Sequence, residues 1–523
     1  MRIKLAMCAL TVAGLALAIS LPLPLPLQAE PLTVKTDQGK VHGKTINDGK
    51  VNAFLGLPYA APPVGDLRWK APQPPAKWAG ERDASKYGAH CAQNPVFADM
   101  IFQDGVDSED CLFLNVYAPA DATAKSKLPV MFWIHGGGFS GGASSEPRHN
   151  GDFLPLKGVV LVTINYRLGV FGFLVTADLA KEANGAAGNY GLLDMVAGLQ
   201  WVKANIKQFG GDPDNVTIFG ESAGSAAVST LMASPLAKGL FQKGIGESGG
   251  AFEGLLGYQS LAAREKSDGD WLASLKVTSL QQLRAMSEAD ILAAAKGRGT
   301  VGFGPDIDGK LLVESVPDTY AAGRQAHVPL LAGWNRDEAN WSAMGGATVE
   351  KYKAAAATTF GDRAAEFLKL YPGDTNDQAL RSLIDYSSDN FIAFSTWKWL
   401  EEHRKTGESP VYRYHFELAS PPSKFHPGSW AFHSDDIEYV FGTLDTRPGS
   451  EWRPEDRKLS DQMMSYWTNF AKTGDPNGPG LPQWPKYGDG DLLIHLDSTI
   501  TSGPDALRPR YEFLSKGAPP MRF

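Results

Sequence analysis

Residues Val216-Thr-Ile-Phe-Gly-Glu-Ser-Ala-Gly-Ser-Ala-Ala-Val-Ser-Thr-Leu-Met232 run from β-branched positions, through two glycines around a serine, into small and apolar residues. The first part predicts a buried strand and the last part predicts a helix. Gly220 and Gly224 allow a tight strand-to-helix turn that exposes the Ser222 hydroxyl. The N-terminus of the helix then points at any negative charge that forms beside this serine. We therefore predict that Ser222 is a nucleophile.

Short apolar segments of the same kind recur along the chain and alternate with helical patterns. Further predicted strands are Val130–Ile134, Val159–Ile164, Val328–Ala332 and Val411–Phe416, and a helix is predicted over Gly191–Phe209. Alternation of buried strands and helices indicates an α/β fold with a doubly covered sheet. Two mostly helical stretches, about Leu261 to Lys296 and about Thr348 to Lys405, are predicted to be cap insertions.

A second segment, Gly246-Glu-Ser-Gly-Gly250, matches the same glycine-serine pattern as the Ser222 segment. No small-residue helix begins directly after Ser248, because Gly249, Gly250, Ala251 and Phe252 follow it. The local context therefore favours Ser222 over Ser248, although the pentapeptide alone does not separate them.

A glycine-rich loop, His135-Gly-Gly-Gly-Phe139, follows the strand predicted at Val130–Ile134. Three glycines let the backbone approach a substrate with its N–H groups directed inward. A loop of this kind upstream of a strand-turn-helix serine is typical of lipases and esterases. The predicted oxyanion donors are the backbone N–H groups of Gly137, Gly138 and Ala223.

Composition and charge exclude several other classes. The 523 residues carry a formal net charge of −8 and no basic cluster, so a nucleic-acid partner is not expected. No Cys/His spacing suits a metal site, and neither a metal nor a cofactor is predicted.

The N-terminus has the pattern of a secretory signal. Arg2 and Lys4 precede an apolar stretch from Leu5 to Leu21, and prolines lead to a cleavage site predicted after Ala29. An uncleaved membrane anchor is the alternative, but the stretch is short for a bilayer span. We expect residues 30–523 to form a single exported domain, secreted or periplasmic, that does not associate with the membrane.

Removal of this signal leaves two cysteines, Cys91 and Cys111. An even pair in an exported chain predicts one disulfide that closes a loop of about 20 residues, with two buried free thiols as the alternative.

With these motifs in place, the chain resembles the type-B carboxylesterases, a family that includes the cholinesterases. The resemblance covers nearly all of the mature chain and is carried by 54–60 (FLGLPYA), 108–116 (SEDCLFLNV), 165–172 (NYRLGVFG), 188–194 (GNYGLLD), 209–213 (FGGDP) and 466–474 (YWTNFAKTG). It implies the α/β-hydrolase fold, with a central, mostly parallel sheet, helices on both faces and helical cap insertions. It also implies hydrolysis of carboxylic esters without a cofactor.

The resemblance further implies a triad in the order Ser, Glu, His. The segment Gly333-Trp-Asn-Arg-Asp-Glu338 matches the acid region, so Glu338 matches the triad acid, although Ala339 replaces the usual glycine. His433 opens a segment similar to the region of the catalytic base. Spacing alone leaves His415 and His426 open as alternatives among the ten histidines.

Other residues receive implied roles from the same resemblance. Cys91 and Cys111 match the first disulfide of the family, and Ser248 matches a second serine close to the triad. Glu221 is a supporting residue beside the nucleophile. Structural ion pairs are implied for Arg68 with Glu109 and for Arg167 with Asp194.

Several positions of the gorge bear on the substrate. Ile101 occupies the position at which cholinesterases carry a tryptophan, which disfavours choline esters, while Trp341 matches an aromatic position of the gorge. Arg148 and His149 match gorge-mouth positions and suggest esters that bear carboxylates, with solvated surface residues as the alternative. Amidase or thioesterase activity uses the same machinery. A non-catalytic adhesion protein on the same fold is the other class considered.

Overall fold

The computed structural model describes residues 32–254, 257–299, 302–488, 490–517, 519 and 521. The predicted signal peptide, residues 1–29, lies outside the described residues. Residues from Leu32 onward form one compact unit. Within the described ranges, no helix combines the length and the apolar character needed to cross a membrane.

The strands in chain order are β1 Thr33–Lys35, β2 Lys40–His42, β3 Lys44–Ile46, β4 Val51–Pro58, β5 Glu81–Asp83, β6 His90–Cys91, β7 Asp107–Ser108, β8 Phe113–Pro119, β9 Leu128–Ile134, β10 Val160–Ile164, β11 Gly211–Glu221, β12 Lys243–Glu247, β13 Gln259–Ser260, β14 Asp306–Ile307, β15 Leu330–Asn335, β16 Val411–Phe416, β17 Leu492–Leu496 and β18 Thr501–Pro504.

The α-helices are α1 Gly169–Phe173, α2 Ala177–Glu182, α3 Tyr190–Asn205, α4 Ala223–Ala233, α5 Leu261–Ser274, α6 Leu280–Ala285, α7 Glu288–Ala295, α8 Val316–Ala321, α9 Val349–Phe360, α10 Ala364–Leu370, α11 Asn376–Ser388, α12 Phe394–Thr406, α13 Ile437–Phe441, α14 Pro454–Thr473 and α15 Arg508–Leu514. Shorter 3₁₀ turns include Ile206–Phe209 and Asn340–Gly345, and a π-helical turn spans Asp389–Ala393.

Eleven strands form the central sheet, in the order β18-β17-β16-β15-β12-β11-β9-β10-β8-β4-β3. The pairs from β10 through β17 are parallel, and the strands at both edges are antiparallel. This mostly parallel sheet confirms the predicted fold class.

Both faces of the sheet are covered by helices. Along β9, Val130, Phe132 and Ile134 point into one hydrophobic cluster, which also contains residues of α3 and α4. Met131 and Trp133 point into a second cluster, which contains residues of α13 and α14. This alternation is what a strand buried on both faces requires.

The two predicted cap stretches are helical, but each is divided into several helices. In the first stretch, the Ser279 and Ser287 side chains accept backbone N–H groups and so begin α6 and α7. Serine at an N-cap position satisfies donors that have no partner inside the helix, which favours a new helix start. In the second stretch, Thr348 and Thr375 begin α9 and α11 in the same way.

Candidate active site

The candidate site lies where four neighbouring parallel strands end. Ser222 follows β11, Ser248 follows β12, Glu338 follows β15, and His433 lies between β16 and α13. The carboxyl ends of parallel strands meet at one edge of the sheet, which is where α/β proteins place ligands. The topology therefore brings together residues that are more than two hundred positions apart.

Ser222 lies at the apex of a sharp turn with a positive φ of 56°. The neighbouring glycines are required by close backbone contacts: a Cβ on Gly224 would lie 2.0 Å from the Ile134 carbonyl oxygen, and one on Gly220 would lie 2.5 Å from the same atom. The chain then enters α4 at Ala223. The predicted strand-turn-helix geometry is present, with the Ser222 backbone in a conformation that non-glycine residues seldom adopt.

A continuous set of hydrogen bonds joins Ser222, His433 and Glu338. His433 Nε2 is 2.9 Å from Ser222 Oγ, and His433 Nδ1 is 2.6 Å from Glu338 Oε2. Glu338 is fully buried, whereas Ser222 is 8% exposed. This is the spacing in which a histidine can take the proton of a serine while a carboxylate orients its ring.

Ser248 lies beside this arrangement, fully buried. Its hydroxyl donates to Glu338 Oε1 over 2.5 Å, and the Asn335 backbone N–H donates to the same oxygen over 2.7 Å. The structure therefore places Ser248 behind the Glu338 carboxylate, within hydrogen-bonding distance of the oxygen that does not contact His433.

Glu221 approaches the same histidine from the other side. Its Oε1 atom is 3.3 Å from His433 Nε2. Burial disfavours the protonated form of His433, but the negative charges of Glu221 and Glu338 outweigh this effect and raise its pKa to about 9. Burial likewise raises the pKa of Glu221 to about 8, although His433 opposes that shift.

The glycine-rich loop lies against the Ser222 turn. Gly137 and Gly138 have φ values of 101° and 63°, which favour glycine, and both line the cavity above Ser222. A Cβ on Gly136 would lie 2.5 Å from Glu221 Oε2, so the loop needs glycine to pass this closely. The structure thus brings Gly137 and Gly138 to the cavity and places Ala223 at the start of α4, beside Ser222.

A cavity of about 390 Å³ opens above these residues. Its remaining walls are mainly aromatic and apolar, with the charged pair of Asp99 and Arg148 at one side; they comprise Phe97, Asp99, Met100, Arg148, Asn340, Trp341, Phe391, Ile392, His426, Phe432 and Ser434. Such a volume fits a small organic substrate.

Two edge-on aromatic contacts connect the cavity wall to the His433 imidazole. Phe391 packs edge-on against His433 with ring centroids 4.9 Å apart, and Trp341 packs against Phe391 at the same separation. Trp341 is 45% exposed and lines the cavity, as expected. Phe391 could not be predicted from the sequence, because it lies in a π-helical turn whose extra residue carries no sequence pattern.

The two gorge-mouth residues differ in placement. Arg148 lines the cavity, but its Nη2 is 2.7 Å from Glu146 and its Nη1 is 3.6 Å from Asp99, so its charge is already paired. The prediction for His149 is wrong: this side chain is 1% exposed, its Nδ1 is 3.1 Å from the Ala143 carbonyl oxygen, and its ring packs on Trp133. A short 3₁₀ turn over Pro147–His149 directs it away from the cavity into the sheet-side core.

The alternative histidines lie elsewhere. His415 lies on β16 and contacts Glu417, and His426 stacks on Phe432 at the cavity wall. Neither makes a hydrogen bond to Ser222 among the described residues.

The implied structural pairs are also present. Cys91 and Cys111 form a disulfide. Arg68 Nε donates to Glu109 Oε2 over 2.6 Å, and Arg167 Nη2 donates to Asp194 Oδ1 over 2.7 Å.

Comparisons with known proteins show the family of the chain. The carboxylesterase family model matches residues 30–505. The para-nitrobenzyl esterase of Bacillus subtilis is 37% identical, over 92% of this chain and 99% of that protein. The fumonisin B1 esterase of Sphingopyxis macrogoltabida is 35% identical, over 91% of this chain and 90% of that protein.

A solved carboxylesterase of Geobacillus stearothermophilus superposes with a TM-score of 0.80 at 31% identity, over 92% of this chain and 99% of that one. With the family model, these relatives and the fold in agreement, the chain belongs to the carboxylesterase family and is a carboxylic-ester hydrolase with the α/β-hydrolase fold.

Proposed function

We propose that this protein cleaves uncharged carboxylic esters through an acyl-enzyme formed on Ser222. The observation that carries the proposal is the unbroken hydrogen-bonded path from Ser222 Oγ through His433 to Glu338, at the floor of an open cavity.

In the first half of the reaction, Ser222 Oγ attacks the ester carbonyl while His433 Nε2 takes its proton. Glu338 keeps the proton on Nδ1 and stabilises the imidazolium without being protonated itself. The negative carbonyl oxygen is held by the N–H groups of Gly137, Gly138 and Ala223, where one such donor is typically worth about 3 kcal/mol of barrier. His433 then protonates the leaving alcohol.

In the second half, water replaces the alcohol. His433 takes a proton from the water, hydroxide adds to the acyl carbon, and the proton returns to Ser222 as the acid leaves. No other group is required for the proton balance.

The test is covalent labelling with an organophosphate, followed by mass spectrometry of the labelled peptide. We expect the label on Ser222 in the wild-type protein and in Ser248→Ala, and none in Ser222→Ala. A label on Ser248, or no label on an actively hydrolysing protein, would contradict the mechanism. Absence of both labelling and hydrolysis in the wild-type protein would contradict it as well.

The charge around the cavity favours a neutral substrate over the carboxylate-bearing one suggested by Arg148 alone. Burial works against ionisation of Asp99, but His426 and Arg148 outweigh it and hold the pKa of that carboxyl below its usual range. Asp99 and Glu146 together therefore neutralise Arg148, and a substrate carboxylate would have to compete with both.

This preference can be measured by comparing a neutral diester with its half-acid, in the wild-type protein and in Arg148→Ala. We expect a higher kcat/KM for the diester in both proteins. A preference for the half-acid that disappears in Arg148→Ala would overturn the assignment and restore the carboxylate-bearing class.

We also propose that the protein is exported, secreted or periplasmic, after cleavage behind Ala29. The Cys91–Cys111 disulfide supports this, because such bonds persist mainly in oxidising compartments. N-terminal sequencing of the protein from a cell fraction outside the cytoplasm should begin at Glu30; recovery of the intact Met1 terminus from the cytoplasm would contradict export.

A further inference from the structure

Away from the cavity, three side chains with metal-binding chemistry converge on β16 and β17. His415 and His495 are direct register partners on these parallel strands. Glu417 lies two residues after His415, and its backbone N–H donates to the Leu496 carbonyl over 2.8 Å, so the ladder continues past the end of β16. Side chains two positions apart on a strand share a face. Glu417 Oε1 is accordingly 2.7 Å from His415 Nδ1 and 2.6 Å from His495 Nδ1.

The cluster is open to solvent on one side. The His415 side chain is 9% exposed, whereas those of Glu417 and His495 are 24% and 27% exposed. The neighbouring charges, Arg413 and Asp505, pair with each other and cancel. With an ionised Glu417 and two neutral imidazoles, the cluster carries one negative charge.

We propose that His415, Glu417 and His495 form a binding site for a divalent transition-metal ion of the zinc type. Two imidazole nitrogens and one carboxylate oxygen are donors that Zn²⁺ accepts in proteins, with solvent in the remaining position. This assignment replaces the expectation from the sequence that the chain has no metal site. Spacing could not reveal it, because His495 is 78 residues from Glu417.

The distances fit such an ion after small movements. The three ligand atoms lie within 4.8 Å of one another. Tetrahedral bonds of about 2.1 Å place ligand atoms about 3.4 Å apart, so side-chain shifts on the order of 1 Å suffice. A neutral imidazole binds through Nδ1 when its single proton is on Nε2, and a protonated imidazole first releases its Nδ1 proton to water.

The site would strengthen a short connection in the sheet. The β16–β17 ladder has only three register pairs, Tyr414 to Ile494, His415 to His495 and Phe416 to Leu496. A metal bound here crosslinks the two strands at that point. None of its three ligands lines the cavity above Ser222, so the site is distinct from the esterase site.

The experiment is calorimetric titration of Zn²⁺ into untagged, chelator-treated full-length mature protein, together with thermal unfolding. We expect one strongly bound Zn²⁺ per chain and a Zn²⁺-dependent rise in Tm. His495→Gln and Glu417→Gln should each weaken binding by about tenfold or more. His327→Gln, which changes an exposed histidine outside the cluster, should leave both measurements unchanged.

Zn²⁺ can also bind a histidine of the active site, His433, and the His495→Gln and Glu417→Gln variants distinguish the two locations. If wild-type protein binds no Zn²⁺, or if His495→Gln and Glu417→Gln keep wild-type affinity, the proposal is wrong. Ester hydrolysis in metal-free buffer reports whether each variant is folded. Should both variants fail to fold, anomalous diffraction from Zn²⁺-soaked wild-type crystals decides: a peak among the three ligands supports the site, and its absence there overturns it.

Discussion

Two copies of one pentapeptide pattern, Gly220–Gly224 and Gly246–Gly250, end neighbouring parallel strands in this protein. Both central serines have a positive φ, 56° at Ser222 and 53° at Ser248. Both donate their backbone N–H to the next strand, to Glu247 and Gly333 respectively. The pattern therefore produces the same backbone turn twice.

The two turns differ in what surrounds them. α4 begins directly after Ser222, whereas the described residues 249–253, which follow Ser248, contain no helix. His433 contacts the first serine, and the second donates its hydroxyl to Glu338. The pentapeptide specifies a turn; the helix behind it and the histidine in front of it specify a nucleophile.

Removal of the first serine hydroxyl is expected to have the largest effect. Ser222→Ala should lower kcat by about a million-fold, because it deletes the atom that forms the acyl-enzyme. Steady-state hydrolysis of a chromogenic ester measures this, with circular dichroism to show that the fold is retained. Residual turnover near the wild-type rate would refute the distinction between the two serines.

The second comparison uses the last glycine of each pentapeptide. A Cβ on Gly224 would lie 2.0 Å from the Ile134 carbonyl oxygen, against 2.8 Å from the Ser395 oxygen at Gly250. Gly224→Ala should therefore reduce the free energy of unfolding by about 3 kcal/mol or more, and Gly250→Ala by less. Urea denaturation of the two variants measures both values. A larger loss of stability in Gly250→Ala than in Gly224→Ala would contradict the ranking drawn from these contact distances.

Ser248→Ala should have a smaller effect on activity. It removes one donor from Glu338 but leaves the Asn335 N–H bond in place. We expect kcat to fall about tenfold, as for loss of a hydrogen bond to a charged group. The decrease should appear in kcat with little change in KM; loss comparable to that of Ser222→Ala would mean that Ser248 takes part in the chemistry directly.

The smallest expected effect concerns the glutamate that precedes each serine. Glu221 faces His433, whereas Glu247 accepts a hydrogen bond from Trp467 Nε1 over 2.7 Å. His433 must be neutral to act as the base, so kcat/KM falls as the pH drops through the pKa of His433. Glu221 helps to raise that pKa. Glu221→Gln should move the acidic limb of kcat/KM to lower pH by about one unit.

Glu247→Gln is the control for this profile, because Glu247 is the corresponding buried glutamate before the second serine and its side chain accepts a hydrogen bond from Trp467 rather than contacting His433. The pH dependence of kcat/KM should then keep its wild-type acidic limb. An equal displacement in both variants would show that contact between Glu221 and the imidazole does not set the position of the acidic limb.

Much of the fold could be predicted because its strands and helices have strong local patterns. The β-branched residues of β9, β11 and β16 and the small residues of α4 indicate their own structure. Helix breaks at Ser279 and Ser287 were missed because the apolar pattern continues across them. The positions of Glu338 and His433 required the family resemblance, since no local pattern says which carboxylate or histidine will meet Ser222.

The cavity wall was harder to predict for a physical reason. Arg148 and His149 are adjacent, yet one lines the cavity and the other is buried, because a 3₁₀ turn directs neighbouring side chains to different sides. Phe391 reaches His433 from a stretch that the sequence marks only as helical. Contacts of this kind form only when the whole chain has folded, so no local sequence pattern indicates them.

The Cys91–Cys111 bridge has a consequence for how such an enzyme can diversify. The loop it closes carries Phe97, Asp99 and Met100, which form one wall of the cavity, while Ser222, Glu338 and His433 lie on other segments. With both ends of the loop joined covalently, the residues between them can be exchanged as a cassette. Substrate range can thus evolve, or be engineered by loop transplantation, on an unaltered catalytic framework.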